Sequence, residues 1–204
     1  GAIHQHLTLS EGALSRVRRN VDAWWPLVES GVEAILVTAS GCGAMLREYG
    51  HLLRDDPRYA ERAGRISALA RDPIEVVALE SLRLAVDAGV GAPATRIAFH
   101  SPCSLQHGLR ITGAVEELLR MLGAELIPVA DAHACCGSAG TYSLLQPELA
   151  SRLGRAKAQA LEAGGPELIL TANFSCQRQI GTSTSVPVRH WIEWVEERLN
   201  PASR

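Results

Sequence analysis

The chain has 204 residues and a formal net charge of −2, and 47% of its residues are hydrophobic. This length and composition predict a globular chain with one large or two small domains, and the mixed charges exclude a basic nucleic-acid-binding surface. The longest apolar runs are well below the ~20 residues that a helix needs to cross a bilayer, so the sequence predicts no transmembrane segment.

The first 90 residues are predicted to be mainly helical, around one short strand. In the first helix, Trp24 and Trp25 belong to an apolar stripe at helical spacing and are expected to anchor a core. Pro57 and Pro73 each follow an aspartate, which suits an aspartate cap and a first-turn proline at the start of a helix. The predicted elements are helices over residues 10–31, 40–50, 57–70 and 73–88, a strand over 33–38, and a linker over 89–93.

From residue 95 onward, predicted strands and helices alternate. This order indicates an α/β fold, a parallel-sheet βαβ sandwich with right-handed crossovers, in which one domain covers residues 1–90 and another covers 91–204. The predicted strands cover residues 95–100, 125–129, 167–171 and 186–188, and the helices cover 112–122, an interrupted stretch over 141–163, and a C-terminal segment that contains Trp191 and Trp194.

Two adjacent cysteines, Cys135 and Cys136, precede Gly137. Consecutive side chains diverge, so the pair suits two thiolate ligands at a bend better than two packed side chains, and the glycine permits close approach of the backbone. Cys103 lies 31 intervening residues upstream of the pair, and Cys176 lies 39 downstream. Each position follows a predicted strand, and parallel strands present their carboxyl ends at one edge of a sheet. We therefore expect the four sulfurs to converge.

Several chemistries are open to four converging thiolates. They hold either an iron–sulfur cluster or zinc. A third interpretation is a thiol enzyme or redox switch, because a low-pKa cysteine near a helix start, such as Cys135 or Cys136, is a nucleophile. The chain has five cysteines, an odd number, which favours metal binding or redox chemistry over a set of disulfides. Free cysteines are typical of a reducing compartment, so the cytoplasm is the expected location. Cys42, the fifth, is expected to be a free thiol.

Other polar side chains lie near these cysteines in the sequence. His133 and His100 precede cysteines by two and three residues, and each is either a ligand, a hydrogen-bond donor to a ligand, or a structural histidine at a strand end. His190, at the end of the last predicted strand, and Asn173, three residues before Cys176, are expected to surround the metal without binding it.

The chain repeats itself at an offset of 134 residues. Residues 31–36, followed by Cys42, align without gaps on residues 165–170, followed by Cys176. The same register puts Gly1 within two residues of the equivalent of Gly137. We therefore expect tandem modules, the first of them incomplete because this chain starts just after the position of its cysteine pair.

The cysteines at positions 103, 135, 136 and 176 resemble the CCG cysteine-rich domain. That domain occurs in tandem in the cysteine-rich subunit of heterodisulfide reductase and in iron–sulfur subunits of glycolate oxidase, lactate-utilisation and anaerobic glycerol-3-phosphate dehydrogenase complexes. The family pattern is a cysteine, a cysteine pair and Cys-x-x-Cys at the spacing found here, except that Asn173 replaces the penultimate cysteine. The segments over residues 1–6, 38–43 and 187–191 most resemble the C-terminal part of the glycolate oxidase iron–sulfur subunit.

This resemblance implies a C-terminal fragment of an iron–sulfur electron-transfer subunit of an FAD-linked glycolate or 2-hydroxy-acid dehydrogenase. The fragment would pass electrons from a flavin subunit to an acceptor and would not be catalytic alone. Cys103, Cys135, Cys136 and Cys176 would hold a 4Fe-4S cluster, with zinc as the alternative cofactor. The implied partners are flavin-containing subunits and an N-terminal ferredoxin-like segment absent from this sequence, with peripheral attachment to the inner membrane. A structural zinc module and a heterodisulfide reductase-like thiol redox protein are the alternative functions.

Overall fold

The computed structural model describes residues 2–77 and 94–200. Contacts divide the chain into two compact units, with the boundary between Pro73 and Ile74. The predicted boundary at residue 90, the linker over 89–93 and most of the helix predicted over 73–88 lie outside the described residues. Within the described ranges, no helix is long and apolar enough to cross a membrane.

The first unit packs helices beside a two-stranded parallel sheet. Its elements are α1 (Ala2–His6), α2 (Ser10–Glu29), β1 (Ile35–Leu36), α3 (Ser40–Arg47), α4 (Tyr49–Leu52), α5 (Ala60–Leu69) and β2 (Ala70–Arg71). β1 and β2 pair with Ile35 opposite Ala70. The strand predicted over 33–38 is therefore shorter than expected, and the helix predicted over 40–50 is divided between α3 and α4.

Both tryptophans of α2 contribute to the core of this unit. Trp24 and Trp25 pack against buried apolar residues of α2, α4 and α5, as predicted. The Trp24 ring also stacks on Tyr49, with the ring centroids 6.4 Å apart. Arg62 places its guanidinium carbon 5.0 Å from the centroid of Trp25, so a cation lies over the ring of this second tryptophan.

The second unit contains a four-stranded parallel sheet with helices. Its elements are β3 (Thr95–His100), α6 (Ala114–Met121), β4 (Ala124–Ile127), α7 (Tyr142–Leu145), α8 (Pro147–Glu162), β5 (Leu168–Thr171), α9 (Phe174–Gly181), β6 (Val188–His190) and α10 (Trp191–Leu199). The strand order is β4-β3-β5-β6, and each neighbouring pair is parallel. The predicted α/β fold is confirmed. The helix expected over 141–163 is interrupted at Gln146, because Pro147 begins α8.

The two central strands of the sheet lead into the region that binds ligands in folds of this kind. β5 is buried along its whole length, as its continuous apolar sequence requires for a parallel strand covered on both faces. After β3 the chain continues to β4, which lies at one edge of the sheet, and after β5 it continues to β6, which lies at the opposite edge. The carboxyl ends of β3 and β5 therefore flank a topological switch point, where an open α/β sheet leaves a crevice.

The internal repeat is present in the structure as well as in the sequence. At the offset of 134 residues, α3 coincides with α9, β1 falls within β5, and α2 spans the equivalent of α8. Gly31 and Gly165 are equivalent positions, and both have a positive φ, +91° and +63°. The two units thus share this run of elements, and the tandem arrangement with an incomplete first module stays a prediction.

Candidate metal centre

Four cysteines meet at the carboxyl ends of the central strands. Cys103 follows β3, Cys135 and Cys136 lie in the loop after β4, and Cys176 lies in the first turn of α9. Cys103 is close enough to Cys135 for the two to affect each other's pKa, and Cys136 is close enough to both Cys135 and Cys176. Three connections of one sheet thereby bring together sulfurs that are far apart in the chain.

The four sulfurs differ in how deeply they are buried. Cys136 and Cys176 are only 1% and 3% exposed and belong to the apolar core that contains Ile169. Cys135 is half-buried, and Cys103 is exposed. The inner side of the site is therefore fixed by the core, whereas its outer side reaches the surface.

Gly137 allows the cysteine pair to approach α8. Its φ is +87°, and a Cβ at this position would lie 2.5 Å from the backbone oxygen of Ala150. The Gly137 amide also donates a hydrogen bond to Cys135 Sγ across 3.3 Å. The glycine is thus required for two reasons, since any side chain would be strained by the positive φ and would collide with α8.

Two polar side chains contact the buried sulfurs. The Cys136 thiol donates to Ser138 Oγ across 3.4 Å, and the same hydroxyl lies 3.8 Å from Cys176 Sγ. Asn173 Nδ2 donates to Cys176 Sγ across 3.5 Å. Hydrogen bonds to ligand atoms orient them and tune their basicity, so Asn173 and Ser138 hold Cys176 in a defined orientation.

Interactions between the thiols give them opposite acidities. The neighbouring thiols of Cys103 and Cys136 lower the pKa of Cys135, and Cys136 together with His100 lowers the pKa of Cys176. The same interactions, together with burial, raise the pKa of Cys103 and of Cys136. The site therefore favours thiolates at Cys135 and Cys176, whose negative charge attracts a cation.

His100 belongs to the same buried group. One of its ring nitrogens and the sulfurs of Cys136 and Cys176 all lie within 4.8 Å of one another. Among the described residues, neither ring nitrogen of His100 is hydrogen-bonded to a nitrogen or oxygen atom, although the ring interacts with the Cys176 thiolate, and Thr171 Oγ1 has no partner. Buried polar atoms without partners are costly. Soft thiolates beside unpaired imidazole nitrogens fit zinc or an iron–sulfur cluster.

The remaining predicted site residues are two further histidines and Cys42, and the strand register places one of them, His190, beside Thr171. His133 is exposed. His190 Nδ1 accepts a hydrogen bond from the Ile192 amide across 3.3 Å and so caps the start of α10. Cys42 is a free, exposed thiol, as expected, and lines a cavity of about 550 Å³ in the first unit together with His4.

Lys157 is a residue of the site that our reading of the sequence missed. It is 2% exposed, and its Nζ donates to the backbone oxygens of Asp131 across 2.8 Å and of Ala132 across 3.4 Å, in the loop that carries the cysteine pair. Burial lowers its pKa. Two features of the sequence mark Lys157 as unusual. It is the single lysine among 20 lysine and arginine residues, and it interrupts the apolar stripe of α8.

Comparison with known proteins identifies relatives of this chain. The family model of the cysteine-rich domain, CCG, matches residues 97–181, a segment that contains all four converging cysteines. The glycolate oxidase iron–sulfur subunit of Escherichia coli strain K12 is 48% identical over 200 residues, which cover 98% of this chain and 48% of that protein. The probable glycolate oxidase iron–sulfur subunit of Bacillus subtilis strain 168 is 32% identical over 181 residues, which cover 88% of this chain and 40% of that protein.

A third relative has a different name. Lactate utilization protein A of Geobacillus thermodenitrificans strain NG80-2 is 34% identical over 151 residues, which cover 72% of this chain and 61% of that protein. The chain thus spans about half the length of the curated relatives it matches. The resemblance found in the cysteine spacing is confirmed: residues 97–181 match the CCG cysteine-rich domain, and the chain is similar along nearly its whole length to the iron–sulfur subunits of glycolate oxidase.

Proposed function

We propose that this chain is part of an iron–sulfur subunit that passes electrons from the flavin subunit of a glycolate or other 2-hydroxy-acid dehydrogenase to an acceptor. The convergence of four cysteines in the crevice between β3 and β5 carries this proposal. The names of the relatives support it, because they refer to glycolate oxidase and to lactate utilisation. Glycolate and lactate are both 2-hydroxy acids.

In this proposal Cys103, Cys135, Cys136 and Cys176 hold a 4Fe-4S cluster, which supplies one-electron transfer. The two buried cysteines fix the inner side of the centre in the core. The exposed Cys103 and half-buried Cys135 bring its outer side to the surface, where a redox partner can approach. Asn173 and the Gly137 amide donate hydrogen bonds to sulfur and so favour the more negative, reduced state.

The proposed partners are flavin-containing dehydrogenase subunits, which would bind and oxidise the hydroxy acid, and a ferredoxin-like iron–sulfur segment. Five free cysteines fit a reducing compartment, so we place the complex in the cytoplasm. Peripheral contact with the inner membrane would bring it to a membrane-bound acceptor.

Metal analysis of anaerobically purified protein tests this function. We expect iron and acid-labile sulfide in a brown protein that glycolate bleaches only when the flavin subunits are present. Serine substitution of Cys103, Cys135, Cys136 or Cys176 is expected to remove most of the iron. Cys42→Ser is the matched control, because this free thiol occupies the equivalent repeat position in the first unit and should not affect the iron content.

A different metal would favour a different function. The small buried group of His100, Cys136 and Cys176 is compatible with a structural zinc module, and a colourless protein with about one equivalent of zinc would support that candidate over electron transfer. A metal-free protein in which Cys135 reacts rapidly with alkylating agents would instead indicate a thiol redox protein, and would contradict both metal-dependent functions.

A further inference from the structure

The end of β3 carries a buried histidine whose one polar neighbour on the page is a sulfur. His100 is 2% exposed, its ring nitrogens make no hydrogen bond to a nitrogen or oxygen atom of the described residues, and it interacts with the Cys176 thiolate. A neutral imidazole has one donor and one acceptor nitrogen, and an imidazolium has two donors, so each protonation state leaves two polar groups to satisfy. Leaving both unsatisfied in the interior is unfavourable, which indicates that this side chain binds something.

The nearest chemically suitable groups are two thiols. One nitrogen of His100 and the sulfurs of Cys136 and Cys176 lie within 4.8 Å of one another, and all three residues are buried. Bonds of ~2.0–2.1 Å from nitrogen and ~2.3 Å from sulfur bring ligand atoms to within about 4 Å of each other around a tetrahedral ion. A small contraction of this group would therefore give a metal its inner ligands.

The strand register supplies a partner for the other ring nitrogen. His100 is paired with Thr171 on β5, so the two side chains occupy neighbouring positions on the same face of the sheet. Thr171 Oγ1 is itself buried and has no hydrogen-bond partner among the described residues. A histidine that binds a metal through one nitrogen usually donates its other N–H to an oxygen, which fixes the ring and the tautomer.

We propose that His100 is a direct metal ligand of this centre, with Cys136 and Cys176 beside it, and that Thr171 accepts a hydrogen bond from its second nitrogen. The proposal rests on the proposed function only in requiring that the centre binds a metal. Because a 4Fe-4S cluster takes four protein ligands, in such a cluster His100 would replace one of the four cysteines named above. A hydrogen bond from His100 to the Cys176 sulfur alone would satisfy one nitrogen and leave the second nitrogen without a partner. Metal ligation satisfies both nitrogens and the threonine hydroxyl together.

Cobalt(II) bound to the metal-stripped protein provides a direct probe of the ligands. An imidazole bound to cobalt(II) gives a strongly shifted, exchangeable N–H resonance in the proton NMR spectrum. We expect this resonance in the unsubstituted protein and in His133→Leu, which alters an exposed histidine of the cysteine loop. We expect its loss in His100→Leu and in His100→Cys, the second of which supplies a thiolate and should retain tight cobalt binding.

Thr171→Val tests the supporting hydrogen bond with a side chain of nearly the same shape. The shifted resonance should persist, while the cobalt dissociation constant should rise about 10–100-fold, the usual effect of removing such a partner. The proposal is overturned if the unsubstituted protein binds cobalt without the resonance, if the resonance survives in His100→Leu, or if no cobalt binds.

The two proposals fail in different measurements. Iron and sulfide content decides whether the centre is an electron carrier, whereas the cobalt spectrum decides whether His100 is a ligand. A zinc-containing protein with the shifted resonance would keep the His100 assignment and exclude electron transfer. An iron–sulfur protein without the resonance would support electron transfer and exclude His100 as a ligand.

Discussion

Lys157 Nζ donates a hydrogen bond to the backbone oxygen of Asp131 across 2.8 Å and thereby connects α8 to the loop that carries the adjacent cysteines. Asp131 has a φ of +48°, a conformation that costs energy for a residue other than glycine. The ammonium is buried, and it interacts electrostatically with Cys136 and Cys135. The single lysine of the chain thus both holds the loop in place and adds positive charge behind two sulfurs.

Replacing Lys157 with Met should weaken this attachment while keeping most of the side-chain volume. We expect the free energy of unfolding to fall by about 1–3 kcal/mol, because the backbone oxygens of Asp131 and Ala132 lose their hydrogen-bond donor. Urea denaturation measures this change, and metal content measures its effect on the site. Arg152→Met, on an exposed position of the same helix, is the control and should be nearly neutral. Equal stability of the two variants would contradict the role of Lys157.

Gly137→Ala is expected to displace the cysteine pair. The added Cβ would lie 2.5 Å from the Ala150 oxygen at a φ of +87°. Gly123 has nearly the same φ, +85°, but no atom of the described residues lies within 4 Å of its Cβ position, so Gly123→Ala measures the backbone strain alone. Both variants should lose about 1–3 kcal/mol from that strain. Only Gly137→Ala should lose more stability and also lose bound metal, as thermal unfolding and metal analysis would show.

Asn173 is expected to tune the reduction potential of the proposed cluster. Asn173→Leu removes the N–H that donates to Cys176 Sγ, so the added electron is less stabilised and the midpoint potential should fall by tens of millivolts, where ~59 mV is a tenfold change for one electron. Potentiometric titration followed by EPR checks this shift. Ser175→Ala, at the exposed position next to Cys176, should leave the potential unchanged. Equal shifts in both variants would exclude a specific effect of this hydrogen bond.

Metal loading should release about two protons near pH 7. The pKa of Cys103 and of Cys136 is raised by neighbouring thiols, so these two are protonated in the metal-free site, whereas Cys135 and Cys176 are already thiolates because their pKa values are lowered. Metal affinity should therefore increase with pH. Zinc titration calorimetry in buffers of different ionisation enthalpy counts the protons. Release of four protons would show that the thiols do not stabilise one another in this way.

The four candidate cysteines were recognisable in the sequence because their signal is local. The adjacent pair and Gly137 form a motif within three residues, and each cysteine follows a strand whose apolar sequence is easy to recognise. Parallel strands place their carboxyl ends together whatever the details of packing, so convergence followed from element order. The repeat was equally visible, since α3 and α9 coincide at the offset found in the sequence.

The surroundings of the cysteines were harder to predict, because they depend on which elements pack together. His133 is closer to the cysteine pair in sequence than His100 is, yet His133 is exposed and His100 is buried beside Cys136 and Cys176. The interaction of Lys157 with the loop joins residues 26 positions apart. No repeating pattern of residues in the sequence indicates either of these two contacts.

The sequence by itself determined the family resemblance, the parallel order of strands and the four candidate cysteines, because each of these follows from residue type and local spacing. The tertiary structure alone decided the polar environment of those cysteines. The register of β3 against β5 places His100 beside Thr171, and the packing of α8 places Lys157 behind the cysteine loop. Hydrogen bonds and burial depend on distances between elements, and those distances arise only when the elements pack.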